Sequence, residues 1–382
     1  MTDSANAPYP VVLQVLPALD GGGVERGTVE MTAAITRAGG GAVVASAGGR
    51  LVPSVERAGG RHVALPLNSK NPWRIWRNAA RLAELIRRDR VDIVHARSRA
   101  PAWSAWLAAR RTGVHFVTTY HAPYGEDVAL KRRYNAVMAK GEIVIAISHF
   151  IARLIAERHG VAASRIRVIP RGVDPGLFDP TKVARDRMVR LIGSWRVPDG
   201  QPTVMLPGRL TRWKGQTVLI EALARMRRRD ACVVLVGGDQ GRKKYAAELV
   251  ALAESLGVGE RVRLVGHCDD MAAALMLSDV VVSASTAPEG FGRVVIEAQA
   301  MARVVVGSDH GGAAETIEHG VTGFRVKPGD ADALAAALDA ALDMPEEERA
   351  AMGDAARAAV SARYTVAAMQ AATIGVYRDV LG

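Results

Sequence analysis

The chain has 382 residues, 49% of them hydrophobic and 23% charged, enough for two or three soluble domains with cores of their own. Two cysteines, Cys232 and Cys268, exclude a disulfide framework and a thiolate metal cluster and suit a reducing cytoplasm. The formal charge is +11, but residues 1–178 hold 25 basic and 13 acidic side chains while residues 179–382 hold 25 and 26. One half therefore faces something anionic or tolerates a basic surface. The polar opening MTDSANAPYP lacks the charged start and apolar run of a signal peptide. No apolar stretch approaches the roughly 18 residues of a membrane-spanning helix.

In chain order, short β-branched runs alternate with longer amphipathic ones. Val11–Leu16, Ala42–Ala45, His62–Leu65, Val91–Val94, His115–Thr118, Ile143–Ile147 and Arg167–Ile169 read as buried parallel strands. Helical patterns such as Trp73–Arg88 and Ala100–Arg110 lie between them. The alternation stops over Pro170–Pro202, which carries five prolines and no sustained period and is predicted to be a linker. It resumes with Thr203–Leu206, Cys232–Val236, Val262–Val265, Val280–Ser283, Val304–Val306 and Gly323–Val326. Repeated strand–helix–strand order implies doubly wound parallel sheets, so an α/β architecture of two facing Rossmann-like domains is expected, 1–178 and 179–364. The last helical segment, 365–382, is left free to pack back on the first domain. Open sheets of this kind take ligands outside the carboxyl ends of their strands, which makes the cleft between the domains the expected active site.

Three loops carry chemistry. The first strand runs into Gly21–Gly22–Gly23 ahead of a helix starting near Val24 or Glu25. Glycines there let backbone N–H groups approach a ligand at the positive end of a helix dipole, although a tight turn alone would use the same residues. The spacing does not fit G-x-G-x-x-G, because Arg26 stands at the last position, which disfavours a nicotinamide-dependent dehydrogenase. In the second domain, Gly208, Arg209 and Lys214 follow a strand, and two fixed cations there suit a pyrophosphate as well as they suit plain solvent. Glu289 precedes Gly290–Phe291–Gly292 after another strand, and Glu297 lies in the following helix. A loop carboxylate and a helix carboxylate can grip the hydroxyl pairs of a sugar or ribose. Glu297 on a solvated helix face and Glu289 favouring the helix dipole is the blander possibility.

These residues, in order and spacing, resemble a retaining glycosyltransferase of family 4, with the two-domain GT-B fold. The resemblance covers nearly the whole chain. It includes Gly21–Gly23, Pro170–Arg171–Gly172–Val173–Asp174, Gly208–Arg209 with Lys214–Gly215, Val265–Gly266, the Glu289–x7–Glu297 signature and Gly311–Gly312 with Glu315. Arg171 departs from the family, which usually has Asn at that position. The resemblance implies transfer of a sugar from a nucleotide diphosphate sugar with retention at the anomeric carbon, without a divalent metal or other cofactor. It assigns Arg209 and Lys214 to the diphosphate, Glu289 to the donor sugar and Glu297 to the ribose. Gly22, Gly23, Gly208 and the turn Gly290–Phe291–Gly292 would offer backbone to the donor, and the segment at His267 would read the base. His121, after the strand His115–Thr118, matches the family histidine near the donor sugar.

The basic half bears on the acceptor. Trp73, Trp76 and a row of arginines on one helix could lie on an anionic bilayer, and the same pattern suits a crossover helix on its sheet. Arg97 and Arg99 alternate after the fourth strand and are expected to point together toward the acceptor. The segment resembles bacterial lipopolysaccharide-core glycosyltransferases, which implies an anionic glycolipid acceptor, a UDP- or GDP-sugar donor and a cytoplasmic protein peripheral to the inner membrane. Alternatives are an enzyme of this fold with a soluble acceptor, of the sucrose or trehalose synthase type, and a nucleotide-sugar epimerase. Nucleic acid is not an expected partner, since aromatic content is only 5% and no known module is present.

Overall fold

A computed structural model describes residues 9–382, so most of the polar opening segment that argues against a signal peptide lies outside the described residues. Every strand expected from the sequence is present. The first unit holds β1 (Val11–Val15), β2 (Gly41–Ser46), β3 (Arg61–Ala64), β4 (Ile93–Ala96), β5 (His115–Tyr120), β6 (Ile143–Ala146) and β7 (Ile166–Val168). They form one parallel sheet in the order β3-β2-β1-β4-β5-β6-β7. The second unit holds β8 (Thr203–Pro207), β9 (Cys232–Val236), β10 (Val262–Gly266), β11 (Val280–Ser283), β12 (Val304–Ser308) and β13 (Phe324–Val326), ordered β10-β9-β8-β11-β12-β13.

Both sheets are doubly wound, and the strand order reverses between β1 and β4 in one and between β8 and β11 in the other. The central strands are buried on both faces, which is why they read as continuous Val, Ile and Leu runs. The fourth strand is β4 at Ile93–Ala96, two residues later than Val91–Val94, because its pairing with β1 and β5 runs on through His95 and Ala96. The crossover helix Pro72–Asp89 is capped by Asn71, whose side chain accepts from the Trp73 and Arg74 amides. Its buried residues, Asn78, Ala79, Leu82, Ala83, Leu85 and Ile86, lie toward the C-terminal end, leaving the tryptophans at its start outside.

The first unit runs to Pro170 and regains Val366–Gly382; the second is Arg171–Thr365. The division therefore falls at Pro170 rather than at 178, because Val173 donates its amide to Tyr364 and bridges Thr365 in the second unit. The helix Val366–Leu381 closes the first core, with Met369, Val376 and Tyr377 packed among Val12, Ile35 and Ile93. The stretch expected to be a plain linker contains a helix, Arg185–Trp195. Met188, Leu191, Ile192 and Trp195 recur at helical spacing within it, although Trp195 is its one buried residue. It is tied down instead by Arg187, which forks onto Asp270 at 2.8 and 2.6 Å.

Candidate functional site

At the switch point of the second sheet the loops leaving β8 and β11 meet, and the loop leaving β12 packs against the latter. They approach so closely that side chains would not fit. A Cβ on Gly215 would sit 1.9 Å from the Ala284 carbonyl oxygen, and one on Gly312 would sit 2.2 Å from that of Gly290. Backbone hydrogen bonds lace the loops together: Thr286 N–H donates to Trp213 O at 2.8 Å, and Gly312 N–H to Glu289 O at 2.8 Å. Glycine at these places serves close backbone approach, for which no other residue is small enough.

The laced loops bring together charged groups far apart in the chain. Lys214 Nζ lies 2.8 Å from Glu289 Oε2, and the two side chains are only 14% and 13% exposed. The Ser285 hydroxyl donates to the other carboxylate oxygen. His310, in the loop after β12, holds the Ser285 carbonyl at 2.8 Å from its Nε2. Burial pushes the Glu289 carboxyl up, but Lys214, Ser285 and His310 outweigh it and hold the group below the usual carboxylate range. Lys214 also sits 4.6 Å from the centre of the Trp213 ring. Arg209 is exposed in the same loop, and its carbonyl accepts from Gln216 at 3.0 Å.

Glu297 is buried in the helix Arg293–Ala300 and lies 3.3 Å from Arg293 Nε. That helix begins at Gly292 without a side-chain cap, which places the positive end of its dipole at the Gly290–Gly292 turn. The helix Gln216–Arg225 likewise starts uncapped at Gly215. Gly290 is buried under Gly312, and the Phe291 ring packs edge-on against Tyr364 at 5.7 Å, which leaves the Phe291 backbone as the part turned to the turn. Gly208 N–H donates to Val236 O at 2.8 Å, tying its loop to β9. His267 stands apart, exposed after the edge strand β10 and 2.9 Å from Asp269.

In the first unit the residues at the β1–β4 switch point behave differently from one another. Gly22 is the uncapped start of the helix Gly23–Arg37. The Arg50 guanidinium crosses the glycine loop and donates to the Asp20 carbonyl. Arg97 and Arg99 do not point together, as the alternation suggested. Arg97 is 2% exposed and donates to Gln14 Oε1 at 2.9 Å, and burial pulls its pKa below the ordinary arginine value. It turns into the layer that holds Tyr377, because residue 97 still bonds β1 through Val15 O. Arg99 stacks on Tyr124 at 4.1 Å and donates to Asn135 Oδ1 at 3.0 Å. His121 follows β5 directly and is half-buried.

Sequence reasoning did not single out Ser285, Arg293 or His310. Arg293 stands four residues before Glu297 on one helix and Ser285 four before Glu289 in one loop, spacings that could have marked them, whereas His310 arrives from the loop after β12. Among the described residues no cluster of three or more His, Cys, Asp or Glu is arranged for a metal ion.

The second unit thus sets a cation, a carboxylate and two helix starts without side-chain caps at a sheet's switch point, the place where α/β folds of this kind take ligands. The chain belongs to glycosyltransferase family 4. The family described as Glycosyltransferase Family 4 matches residues 21–177, and Glycosyl transferases group 1 matches 190–359. A GDP-mannose-dependent alpha-(1-6)-phosphatidylinositol monomannoside mannosyltransferase of Mycobacterium tuberculosis is 34% identical over 233 residues. That match spans 58% of this chain and 58% of the relative's length. A D-inositol 3-phosphate glycosyltransferase of Xylanimonas cellulosilytica is 32% identical over 311 residues, 75% of this chain and 71% of the relative. The crystal structure of a glycosyltransferase from Rickettsia africae superposes with a TM-score of 0.91 at 36% identity, covering 98% of this chain and 99% of that one. The expected GT-B type of α/β fold is therefore present, with two parallel sheets flanked by helices.

Proposed function

We propose that the protein transfers a sugar, with retention and without a divalent metal, from a nucleotide diphosphate sugar to an anionic acceptor. The observation that carries this is the Lys214–Glu289 pair, set among uncapped helix starts at the switch point of the second sheet. Lys214 and the exposed Arg209 supply the positive charge that a departing diphosphate needs, the work a metal would otherwise do. Glu289 is kept ionised and accepts from sugar hydroxyls; Glu297 does the same for a ribose. Gly22, Gly23, Gly208 and the Gly290–Gly292 turn offer backbone to the donor, with His267 near the base and His121 serving the donor sugar. Bond-making without a protein nucleophile then rests on positioning.

For the acceptor, the favoured class is a phosphorylated or carboxylated glycolipid, such as a lipopolysaccharide core, met at the inner face of a membrane. Support comes from the basic first half and from Trp73 and Trp76, which are 68% and 51% exposed and stacked at 5.4 Å. Phosphatidylinositol monomannoside in the name of the mycobacterial relative is an acceptor of this chemistry. No helix among the described residues is long and apolar enough to cross a membrane, so attachment would be peripheral. A soluble phosphorylated acceptor is the second reading, favoured by the inositol 3-phosphate in the name of the Xylanimonas relative. The acceptor role of Arg99 is tested by Arg99→Ala. Arg97→Ala would first disturb Gln14 and the core.

Thermal shift with UDP-, GDP- and ADP-sugars tests the donor. A cognate donor raises the melting temperature by mass action, and Lys214→Ala abolishes the rise. No rise with any nucleotide sugar would sink the proposal.

A further inference from the structure

A second cluster of buried ionisable groups lies in the first unit, where the chain leaves β5. Residues 121–128 have no helix or strand of their own before the helix Ala129–Asn135 begins. Side chains hold them instead. Asn135 Nδ2 donates to the Gly125 carbonyl at 3.1 Å and to Glu126 Oε1 at 3.3 Å. Arg158 Nη1 donates to the Tyr124 carbonyl at 2.9 Å, and Arg99 covers the Tyr124 ring.

Glu126 is the centre of this arrangement. Its side chain is 7% exposed, with His159 Nε2 at 3.3 Å and Arg158 Nη1 at 3.9 Å. His159 Nε2 in turn lies 3.2 Å from the Tyr120 hydroxyl, at the strand end that carries His121. Loop carboxylates normally stay in water, and burying one is costly unless its hydrogen bonds are filled. Here side chains from two helices fill them. The Tyr120 and Tyr124 rings touch at 4.6 Å, so His121–Pro123 is a short span between two fixed points.

We propose that Glu126 is a positioning residue that acts through His121: its buried carboxylate, tied to Asn135 and His159, fixes the backbone that presents the His121 imidazole. This rests on the His121 assignment made above. The charged groups facing the cluster are Arg158 and Arg132 beside His159, and Arg99 beyond Asn135. The position of His121 is therefore set by the loop's far end as much as by β5.

Two measurements test it. In protein carrying 13C-labelled histidine, the His121 resonance is assigned by its loss in His121→Ala. Glu126→Ala should move that resonance, and Glu126→Gln, which keeps an acceptor for Asn135, should return it. With GDP-mannose and UDP-glucose as probes, Glu126→Ala should lower nucleotide diphosphate release about 10- to 100-fold while KM changes by less than about threefold. In the His121→Ala background the same change should cost nothing more, since both act through one imidazole. An unmoved resonance, or losses that add in the double variant, would overturn the inference while His121 keeps its role. Wild-type turnover in His121→Ala would overturn the role and the inference together. Asn135→Ala cuts the same tie from the helix side, and it answers the question if Glu126→Ala does not fold.

Discussion

Lys214 Nζ and Glu289 Oε2 are 2.8 Å apart although 75 residues separate them in the chain, because β8 and β11 are neighbours in the sheet. Each charge satisfies the other. On the proposed function, a diphosphate would share Lys214 with Glu289 and the carboxylate would accept from a sugar hydroxyl.

Removing one partner exposes the dependence. Lys214→Ala strands a buried carboxylate and should destabilise the second unit by about 1–3 kcal/mol, read from denaturant unfolding. The pH dependence has a definite sign. The Glu289 carboxyl is held below its ordinary 4.5 in the folded state, so its contribution is complete above that pH and is lost as pH falls through the lower folded value. Melting temperature measured from pH 6 down to 3 should fall more steeply in the wild type than in Glu289→Gln.

Gly215→Ala tests the close approach of the two loops. Gly215 has φ +75°, and a Cβ there meets the Ala284 carbonyl at 1.9 Å. The loops must separate, costing about 1–3 kcal/mol. The stabilisation expected from donor in thermal shift should disappear with it, even though no charge has changed. A variant that keeps the full donor response would show that the loop contact does not set the site.

Tyr377→Phe addresses the C-terminal helix. The Tyr377 hydroxyl lies 2.7 Å from His95 Nδ1 in a fully buried place, and His95 Nε2 reaches Thr119 at 2.6 Å. Loss of the hydroxyl should cost the first unit about 1–3 kcal/mol, with hydrogen exchange rising first in β4 and the helix Val366–Leu381. Unchanged protection there would mean that apolar packing alone holds the helix.

Flotation with anionic vesicles tests the membrane reading. The Trp73→Ala, Trp76→Ala double variant should lose vesicle binding while keeping its melting temperature, because both rings are largely outside the core. The same loss should follow raised salt in the wild type. Binding of the wild type to no vesicle at any salt would favour the soluble acceptor.

The chain alone determined the number, type and approximate bounds of all thirteen strands, since β-branched runs and amphipathic stretches are written in residues a few positions apart. It also marked the glycine loops and the Glu289–x7–Glu297 signature, whose spacing is local. The helix Arg185–Trp195 escaped, because its short apolar face of Met188, Leu191, Ile192 and Trp195 lies among prolines and glycines that read as linker, and its anchor Asp270 lies far along the chain. Arg97 and Arg99 looked like a pair, yet one is buried against Gln14 and the other stacks on Tyr124. Only the tertiary structure decided such partners. A strand's sequence tells that it is buried in a sheet, but not which strand lies beside it. The reversal of order at β8 and β11 is what sets Lys214 on Glu289 and lets Ser285 and His310 join them. The uneven charge noted at the outset likewise reads differently once folded: in the basic half Arg97, Arg99 and Arg158 are engaged within the first unit, while Trp73 and Trp76 stand on its surface.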